Sequence, residues 1–333
     1  MDQTNRPEAI MRLRDAVNPP FALLAGIQLG VFTTLNQGAA TAQEAADKLG
    51  VHAGKLEVLL YALVPTGLIL VEDGRFFNSP EAEQFLVEGR PGYLGEGYVS
   101  TAEGRWRALL KTADSVRTGT AQAKLDYTNA SEEQLNIHYK SFFAQTQSKG
   151  RNLAELFDFT KHRRLLDVAG GTGGLAAALT TACPELHATV IDLPEVTPTT
   201  QRYVDEAGAG DRVTVLAGNV VSGPIVGTYD VAVVSNFLPV LSREDARQVL
   251  VNLGRVIEPG GVIYLADQGT IDDSRFSPAG IAQSSLFFIN AFDDGCPKTE
   301  SERREWLEEA GFQEIKRLPF PEGGSIMVAE MPG

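Results

Sequence analysis

The stretch LLDVAGGTGGLAAAL, which begins at Leu165, leads an apolar strand directly into a glycine-rich turn and a helix. After it, the apolar runs ATVIDLP, VTVLAGN, YDVAVVSNF and GVIYLADQ alternate with mostly helical patterns. Near-continuous apolar strands separated by helices are typical of a parallel sheet that is covered on both faces. The last two β runs, GFQEIKRLPF and SIMVAEM, are joined only by PEGG, which predicts a hairpin. The pattern therefore predicts an α/β fold, a Rossmann-like doubly wound sheet that ends in an antiparallel hairpin.

The beginning of the chain follows another plan, of short helices closed by a hairpin. FALLAGIQLGVFTTL carries apolar residues at helical spacing and predicts one helix from Phe21 to near Gly38. Thr41, with Glu44 three residues later, predicts a capping box at the start of the next helix. A third helix, KLEVLLYALVPTG, precedes two short β runs around the turn EDG, which is a strong hairpin signal. Three helices and a hairpin in this order predict a winged-helix-like domain.

These patterns divide the chain into three predicted regions. Residues 1–100 form the winged-helix-like domain, residues 101–160 a helical, aromatic-rich linker, and residues 161–333 the α/β domain. The linker is loosest between about 118 and 131, where Gly, Thr and Asn interrupt the helical pattern.

Charge and composition exclude several classes of partner. The formal net charge is −14, so nucleic acid and anionic membranes would repel the chain. Residues 1–100 hold seven Lys and Arg against twelve Asp and Glu, which favours packing or dimerisation over DNA binding for the winged helix. The polar start and the lack of a long apolar run predict a cytoplasmic protein without a signal peptide or membrane span. Cys183 and Cys296 are expected to be reduced thiols, and no cysteine or histidine spacing indicates a metal site.

A doubly wound sheet binds its ligand beyond the carboxyl ends of the strands, so the residues that follow each strand are the candidates for the site. In strand order these are Asp167 with the glycines Gly170 and Gly171, then Asp192 and Leu193, Asn219 and Val220, Ser235 and Asn236, and Asp267.

The chemistry of these positions favours one cofactor over another. A carboxylate at Asp192 can accept both hydroxyls of a ribose, which fits NAD and S-adenosylmethionine equally. Asn219 can accept from an adenine amino group through its side-chain carbonyl, with Leu193 and Val220 on either side of the ring. Asp167 places an anionic group beside the glycine turn, which suits a cationic amino-acid end and disfavours a pyrophosphate. With the terminal hairpin, this predicts S-adenosylmethionine as the cofactor.

Several motifs together resemble the small-molecule O-methyltransferase family, which includes the caffeate, hydroxyindole and antibiotic-tailoring enzymes. They are LLDVAGGTGG, VIDLPEV, DRVTVLAGN, IEPGG and TESERREWLEEAGF, with ALLAGIQLGVFTTL, AATAQEAADKLG and LVPTGLI in the N-terminal region. The resemblance implies a class I methyltransferase fold, a homodimer formed through the N-terminal domain, and S-adenosylmethionine as methyl donor. It also implies that the helix LNIHYKSFFAQTQ contacts both cofactor and acceptor, which adds Phe143 and Gln147 to the cofactor site beside Ser235.

The chain departs from the family at one position that matters for catalysis. O-methylating members usually carry a histidine after the fourth strand, where SNFLPVLSRED has Pro239. A hydroxyl acceptor has to lose a proton and needs a general base, whereas a thioether, a neutral amine or an activated carbon does not. Three uses remain open: O-methylation with another base, S-, N- or C-methylation, and binding of the cofactor without methyl transfer.

Candidates for the remaining roles follow from position. His138, Asp267 and Asp293 could replace the base. The acceptor pocket is expected to contain Trp106, Tyr139, Phe142, Asn236, Phe288 and Asn290. A small acidic acceptor would need a cation, and the candidates by segment are Arg105, Arg107, Lys140 and Arg275. Enzymes that resemble this family S-methylate 4-methylthio-2-hydroxybutyrate on the route to dimethylsulfoniopropionate, an alternative that fits the missing histidine. A dinucleotide-dependent oxidoreductase and an acidic winged-helix regulator are the competing classes.

Overall fold

The computed structural model describes residues 7–90, 92–124, 126–267, 270–321 and 324–333, and at positions 100, 101, 103, 133, 134, 136–138, 140 and 141 the backbone alone. The chain forms two compact units, Met1–Gly104 and Arg105–Gly333. The region predicted as a linker, 101–160, therefore falls almost wholly within the second unit. No helix in the described part of the chain is long and apolar enough to cross a membrane.

The first unit consists of helices and the predicted hairpin. Its elements are α1 (Glu8–Asp15), α2 (Asn18–Gln28), α3 (Val31–Leu35), α4 (Ala42–Leu49), α5 (Ala53–Leu63), β1 (Ile69–Glu72), β2 (Arg75–Asn78) and α6 (Pro80–Phe85). The capping box of α4 forms as predicted, since the Thr41 hydroxyl accepts from the backbone N–H of Glu44 and the Glu44 carboxylate accepts from that of Thr41. In the hairpin, Ile69 pairs with Asn78 and Glu72 with Arg75.

The single helix predicted from Phe21 to near Gly38 is wrong, because the segment forms two helices. Gly30 has φ +72°, in the left-handed region, and separates α2 from α3. Glycine adopts this conformation without the steric penalty of a side chain, so the break occurs there while the apolar spacing continues on both sides.

The second unit carries the predicted sheet. The helix α7 (Gly95–Leu109) contains the boundary between the units, and the elements after it are α8 (Thr112–Thr118), α9 (Glu132–Leu156), β3 (Arg164–Val168), α10 (Gly174–Ala182), β4 (His187–Asp192), α11 (Thr197–Glu206), β5 (Val213–Ala217), β6 (Tyr229–Val234), α12 (Arg243–Gly254), β7 (Ile257–Leu265), α13 (Ala279–Ser284), α14 (Phe288–Ala291), α15 (Glu300–Glu309), β8 (Gln313–Phe320) and β9 (Gly324–Glu330).

The strand order among the described residues is β5-β4-β3-β6-β7-β9-β8. The first five strands are parallel, and β9 runs antiparallel to both β7 and β8, so the predicted C-terminal hairpin is confirmed. Alternate strand residues enter two apolar cores, one containing Leu166 and the other Leu165. Burial on both faces explains the near-continuous apolar character of these strands.

Candidate active site

The glycine turn between β3 and α10 is shaped by what lies next to it. A side chain at Gly170 would place its Cβ 2.7 Å from Cγ of Asp167, and one at Gly171 would place it 3.0 Å from the Tyr139 ring. Gly171 also has φ +56°, a left-handed conformation that favours glycine. The two glycines therefore let the backbone pass between a buried carboxylate and an aromatic ring, close to the expected ligand.

Two carboxylates meet at the carboxyl ends of β3 and β4. Asp192 accepts from the backbone N–H of Gly171 through Oδ2 and from its neighbour Leu193 through Oδ1, each at 2.8 Å. Asp167 is 1% exposed, and its Oδ2 has no hydrogen-bond partner among the described residues. Burial, and next the charge of Asp192, raises the pKa of Asp167 to about 7. Burial also raises the pKa of Asp192 to about 6.

The surroundings of both carboxylates therefore disfavour their negative charge. A bound cation would offset this penalty.

Aromatic rings lie beside the turn. The Tyr139 ring stacks with that of Tyr127 at 6.3 Å between centroids, and Tyr127 stacks in turn with Phe292 at 6.4 Å. Burial and the charge of Asp192 raise the pKa of both tyrosines, so both phenols are neutral near pH 7. The predicted Phe143 stacks with Tyr203 at 5.0 Å. Sequence analysis missed Tyr127 because it lies in the irregular segment after α8.

Helix α9 is fastened to the strand ends by polar contacts. The Thr146 hydroxyl is 3.0 Å from that of Thr172 in the glycine turn. Lys149, which sequence analysis did not single out, is 5% exposed and donates to the backbone oxygen of Ala266 at 2.8 Å and to the predicted Ser235 hydroxyl at 3.2 Å. These contacts place α9 against the ends of β3, β6 and β7.

The structure corrects the expected adenine contacts after β5. The Asn219 carbonyl accepts from the backbone N–H of Val221 at 2.9 Å, so the side-chain oxygen assigned to adenine already has a partner. The Asn219 side chain is exposed, and its amide N–H groups are the donors that it presents to a ligand. Val220 is 4% exposed and belongs to the core, which leaves its side chain almost no surface for stacking on a ring.

The proposal that Asp267 acts as a base is also corrected. Its Oδ2 lies 2.8 Å from Nη1 of Arg303, and both side chains are at most 1% exposed. A guanidinium at this distance occupies the carboxylate, so Asp267 is one half of a buried ion pair. The spacing of Arg303, Trp306 and Leu307 along α15 places the arginine on the buried face of the helix, which is the signal that sequence analysis overlooked.

Asn290 was predicted to bind the acceptor, and the structure gives it a structural role. It is completely buried, donates to Thr112 Oγ1 at 2.9 Å and to the Leu286 backbone oxygen at 2.6 Å, and accepts from the Ser115 hydroxyl at 2.7 Å. All the polar atoms of its side chain therefore join α8 to α14.

Asp293, another candidate base, accepts from the backbone N–H of Ala121 at 3.0 Å and pairs with Lys124 at 2.5 Å. It fastens the segment that carries Tyr127, and the hydrogen bonds from Lys124 and from the backbone of Ala121 keep its pKa below the ordinary value. The remaining candidate base, His138, has its side chain outside the described residues.

A small cavity contains two of the residues that were expected to bind the acceptor. Its described lining is Asn236, Pro239, Ile281, Ser284, Ser285, Phe288 and Pro297. None of these side chains is ionisable. Asn236 has φ +54°, an uncommon conformation for a residue other than glycine, and its side chain is exposed at the end of β6. The predicted Asn236 and Phe288 thus line one cavity together with Pro239, the residue at which the resemblance leads one to expect a histidine.

The other predicted contacts stay predictions. Four of these side chains are partly exposed: Leu193 after β4, Phe142 and Gln147 on α9, and Trp106 on α7. The first three therefore belong to elements that border the glycine turn.

Comparison with known proteins assigns the fold to a family. Residues 114–313 match the model of an O-methyltransferase domain, and residues 11–88 match that of an O-methyltransferase dimerisation domain. The chain belongs to the O-methyltransferase family. The enzyme is 30% identical to the 3-hydroxy-5-methyl-1-naphthoate 3-O-methyltransferase of Streptomyces sahachiroi over 91% of this chain and 88% of the relative.

Two further similarities cover nearly the whole enzyme. It is 27% identical to the N,N-dimethyltransferase OxyT of Streptomyces rimosus, over 97% of this chain and 96% of that protein. It superposes on the crystal structure of the S-adenosylmethionine-dependent methyltransferase SibL with a TM-score of 0.82, 25% identity, and coverage of 98% and 100%. The relatives therefore include enzymes named for methylation at oxygen and at nitrogen.

Proposed function

We propose that this enzyme transfers a methyl group from S-adenosylmethionine to a small aromatic molecule, at an atom that is nucleophilic without loss of a proton. A neutral aromatic amine is the acceptor group that fits best. The observation that carries this proposal is Pro239, which lies in the cavity wall at the position of the usual histidine, with no ionisable side chain among the described residues of the lining.

The residues around the glycine turn fit this cofactor. S-adenosylmethionine supplies an electrophilic methyl group on a positively charged sulfur. Asp167 offers a buried carboxylate oxygen that lacks a hydrogen-bond partner, as a cationic ligand requires. Asp192 lies at the end of β4, where its carboxylate can accept ribose hydroxyls beside the backbone N–H groups of Gly171 and Leu193. Two adjacent buried carboxylates would repel a pyrophosphate, which disfavours NAD.

The described residues around the cavity offer no unpaired base, and this favours an acceptor that needs none. Asp267 is paired with Arg303, and Asp293 is paired with Lys124, so neither is placed to take a proton from an acceptor in the cavity. A neutral amine attacks through its lone pair and loses its proton to water afterwards, so positioning alone can accelerate the transfer. The exposed amide of Asn236 can orient the acceptor by a hydrogen bond, and Phe288 and Pro239 provide flat apolar walls.

The cavity has to widen to admit an aromatic acceptor. Its volume is about 10 Å³, roughly the space of one water molecule. One wall is the segment from α13 to α14, and α13 has no buried residue. Segments with few buried contacts open at low free energy, so acceptor binding is expected to displace this wall rather than the sheet.

The first unit contributes a second part of the proposal, that the enzyme works as a homodimer. The sequence of this unit matches the family's dimerisation domain. Its first helix α1 has no buried residue, and Ile10 and Leu13 are 69% and 70% exposed. Exposed apolar side chains that follow one another along a helix support burial against another copy of the chain.

One substrate can separate nitrogen from oxygen as the acceptor atom. 3-Amino-4-hydroxybenzoate carries both groups on one ring, and incubation with enzyme and S-adenosylmethionine, followed by fragmentation in a mass spectrometer, locates the added methyl group. We expect the N-methyl product.

Formation of the O-methyl product would contradict a base-free site. Cofactor binding without transfer to this compound, to an aromatic C-nucleophile such as a tyrosine derivative, or to 4-methylthio-2-hydroxybutyrate would indicate a cofactor-binding protein that does not methylate. Transfer only to the last compound would establish the thioether alternative. Asp192→Ala serves as the control, because it should abolish cofactor binding together with any transfer.

A further inference from the structure

The four cations considered for an acidic acceptor have different environments in the structure. Arg107 is exposed. Arg275 has a 59% exposed side chain and lies 3.5 Å from the carboxylate of Glu302. The Lys140 side chain is outside the described residues. Arg105 alone among the three described side chains is partly buried, and burial lowers its pKa from the ordinary value.

Arg105 lies next to the acceptor cavity. Its Nη2 donates to the backbone oxygen of Ser284 at 3.3 Å, and Ser284 lines the cavity. Its Cζ is 5.3 Å from the centroid of the Phe287 ring, a cation–π contact, and Phe287 packs edge-on against the cavity residue Phe288. The guanidinium is thereby held at the end of the cavity formed by α13 and α14.

This guanidinium has no counter-charge among the residues that the structure describes, since no carboxylate there lies within 4.0 Å of it. Arg303, by contrast, is buried with the carboxylate of Asp267 as its counter-charge. An arginine stays protonated at neutral pH, so a partly desolvated one without a carboxylate is unfavourable unless a ligand supplies the negative charge. One of its donors bonds the backbone oxygen of Ser284, and within the described part of the chain no further hydrogen bond of this guanidinium is seen.

We propose that Arg105 binds a carboxylate on the acceptor, so that the substrate class is aromatic carboxylic acids. This inference rests on the proposed function, because it takes the cavity to be the acceptor site. A planar guanidinium binds a carboxylate through two parallel hydrogen bonds, which fixes the orientation of the ring as well as adding affinity. The aromatic and proline walls contact the ring, and the bound carboxylate fixes which edge of the ring faces away from Arg105.

Equilibrium binding tests this without relying on turnover. Titration calorimetry with S-adenosylhomocysteine present would compare 3-amino-4-hydroxybenzoate and 3-hydroxy-1-naphthoate with their methyl esters, which lack the charge. For the wild type we expect at least one acid to bind about 10-fold more tightly than its ester, as a charge-assisted hydrogen bond predicts. Arg105→Gln should reduce the ratio to about 2-fold or less, and Arg105→Lys should give an intermediate value because it keeps the charge but loses the planar donor pair.

Arg107→Gln is the matched control, since it removes an exposed arginine from the same helix and should leave the ratio unchanged. Binding of S-adenosylhomocysteine by each variant verifies folding. Equal affinities of acid and ester in the wild type, no binding of any of the four compounds, or an unchanged ratio in Arg105→Gln would overturn the inference. A preference of the wild type for acids without methyl transfer would instead uphold Arg105 and contradict the proposed function.

Discussion

At the scale of single residues, the ion pair of Asp267 and Arg303 shows how a residue that resembles a catalytic base can have another role. Asp267 follows β7 as an active-site carboxylate would, and only the docking of α15 brings Arg303 to it. The pairing joins positions far apart in sequence, so no local pattern around Asp267 predicts it. The sequence shows the carboxylate after β7, and its helical spacing places Arg303 on a buried face, but it does not show that the two side chains meet.

Removing one partner of this pair should destabilise the fold. Arg303→Met leaves the Asp267 carboxylate buried without a counter-charge, and we expect the free energy of unfolding in urea to fall by about 3–5 kcal/mol. The double variant with Asp267→Leu should recover most of this loss, since an apolar pair needs no desolvation of charge. Arg164→Met, which breaks an exposed pair with Glu258, is the control and should change stability little. If the double variant is as unstable as Arg303→Met alone, the unpaired carboxylate is not the cause of the lost stability.

The buried carboxylates of the glycine turn should make stability depend on pH. Their pKa values of about 7 for Asp167 and about 6 for Asp192 lie above the value of about 4 for an unfolded chain. The folded state therefore binds more protons between about pH 4 and pH 7, and the stability contributed by these groups is lost as pH rises through that range. Urea unfolding at pH 5 and pH 8 measures how much the free energy of unfolding falls between these two pH values. This fall should be smaller in Asp167→Asn than in the wild type. An equal fall in the variant and the wild type would contradict the raised pKa of Asp167.

The same carboxylates should link cofactor binding to proton release. A cationic ligand favours the ionised form, so the affinity for S-adenosylmethionine should rise from pH 5.5 to pH 8. Calorimetry in two buffers of different ionisation enthalpy would detect the protons released near pH 6.5. Most of this release should disappear in Asp167→Asn, and an affinity independent of pH in the wild type would refute the linkage.

At the scale of elements, close contact between α9 and α10 fixes the wall of the cofactor site. A Cβ on Gly150 would lie 2.7 Å from the backbone oxygen of Leu175 and 2.8 Å from Cβ of Ala178. A helix was predicted in this region, but the need for glycine at position 150 depends on the distance between α9 and α10. The break at Gly30 is a similar case, because the apolar spacing continues through it and does not show that the helix axis changes direction there.

Two glycine substitutions separate packing from helix propensity. Gly150→Ala should lower stability by about 1–3 kcal/mol because the added methyl group forces α9 away from α10. Gly104→Ala in α7, where nothing lies within 4 Å of the new Cβ, should raise stability by up to about 1 kcal/mol. Thermal and urea unfolding of both variants gives the comparison. A stabilising Gly150→Ala would mean that the two helices are not in close contact.

At the scale of the whole molecule, the exposed apolar residues of α1 should matter for assembly rather than for folding. Ile10→Glu with Leu13→Glu removes apolar surface from the proposed dimer contact, and light scattering after gel filtration should detect a shift from dimer to monomer at micromolar concentration. Val226→Glu, at a 67% exposed position of the second unit, is the control and should leave the mass unchanged. An unaltered dimer in the double variant would place the contact elsewhere.

The arrangement of the second unit has an evolutionary consequence. The proposed cofactor residues lie at the ends of buried strands, whereas one wall of the proposed acceptor cavity is built by α13 and α14, which lie outside the sheet. Mutations in that wall leave the two cores largely untouched, so selection can exchange one acceptor for another at little loss of stability. Descendants of such an enzyme can acquire new acceptors through substitutions in a short peripheral segment while the methyl-donor site stays unchanged.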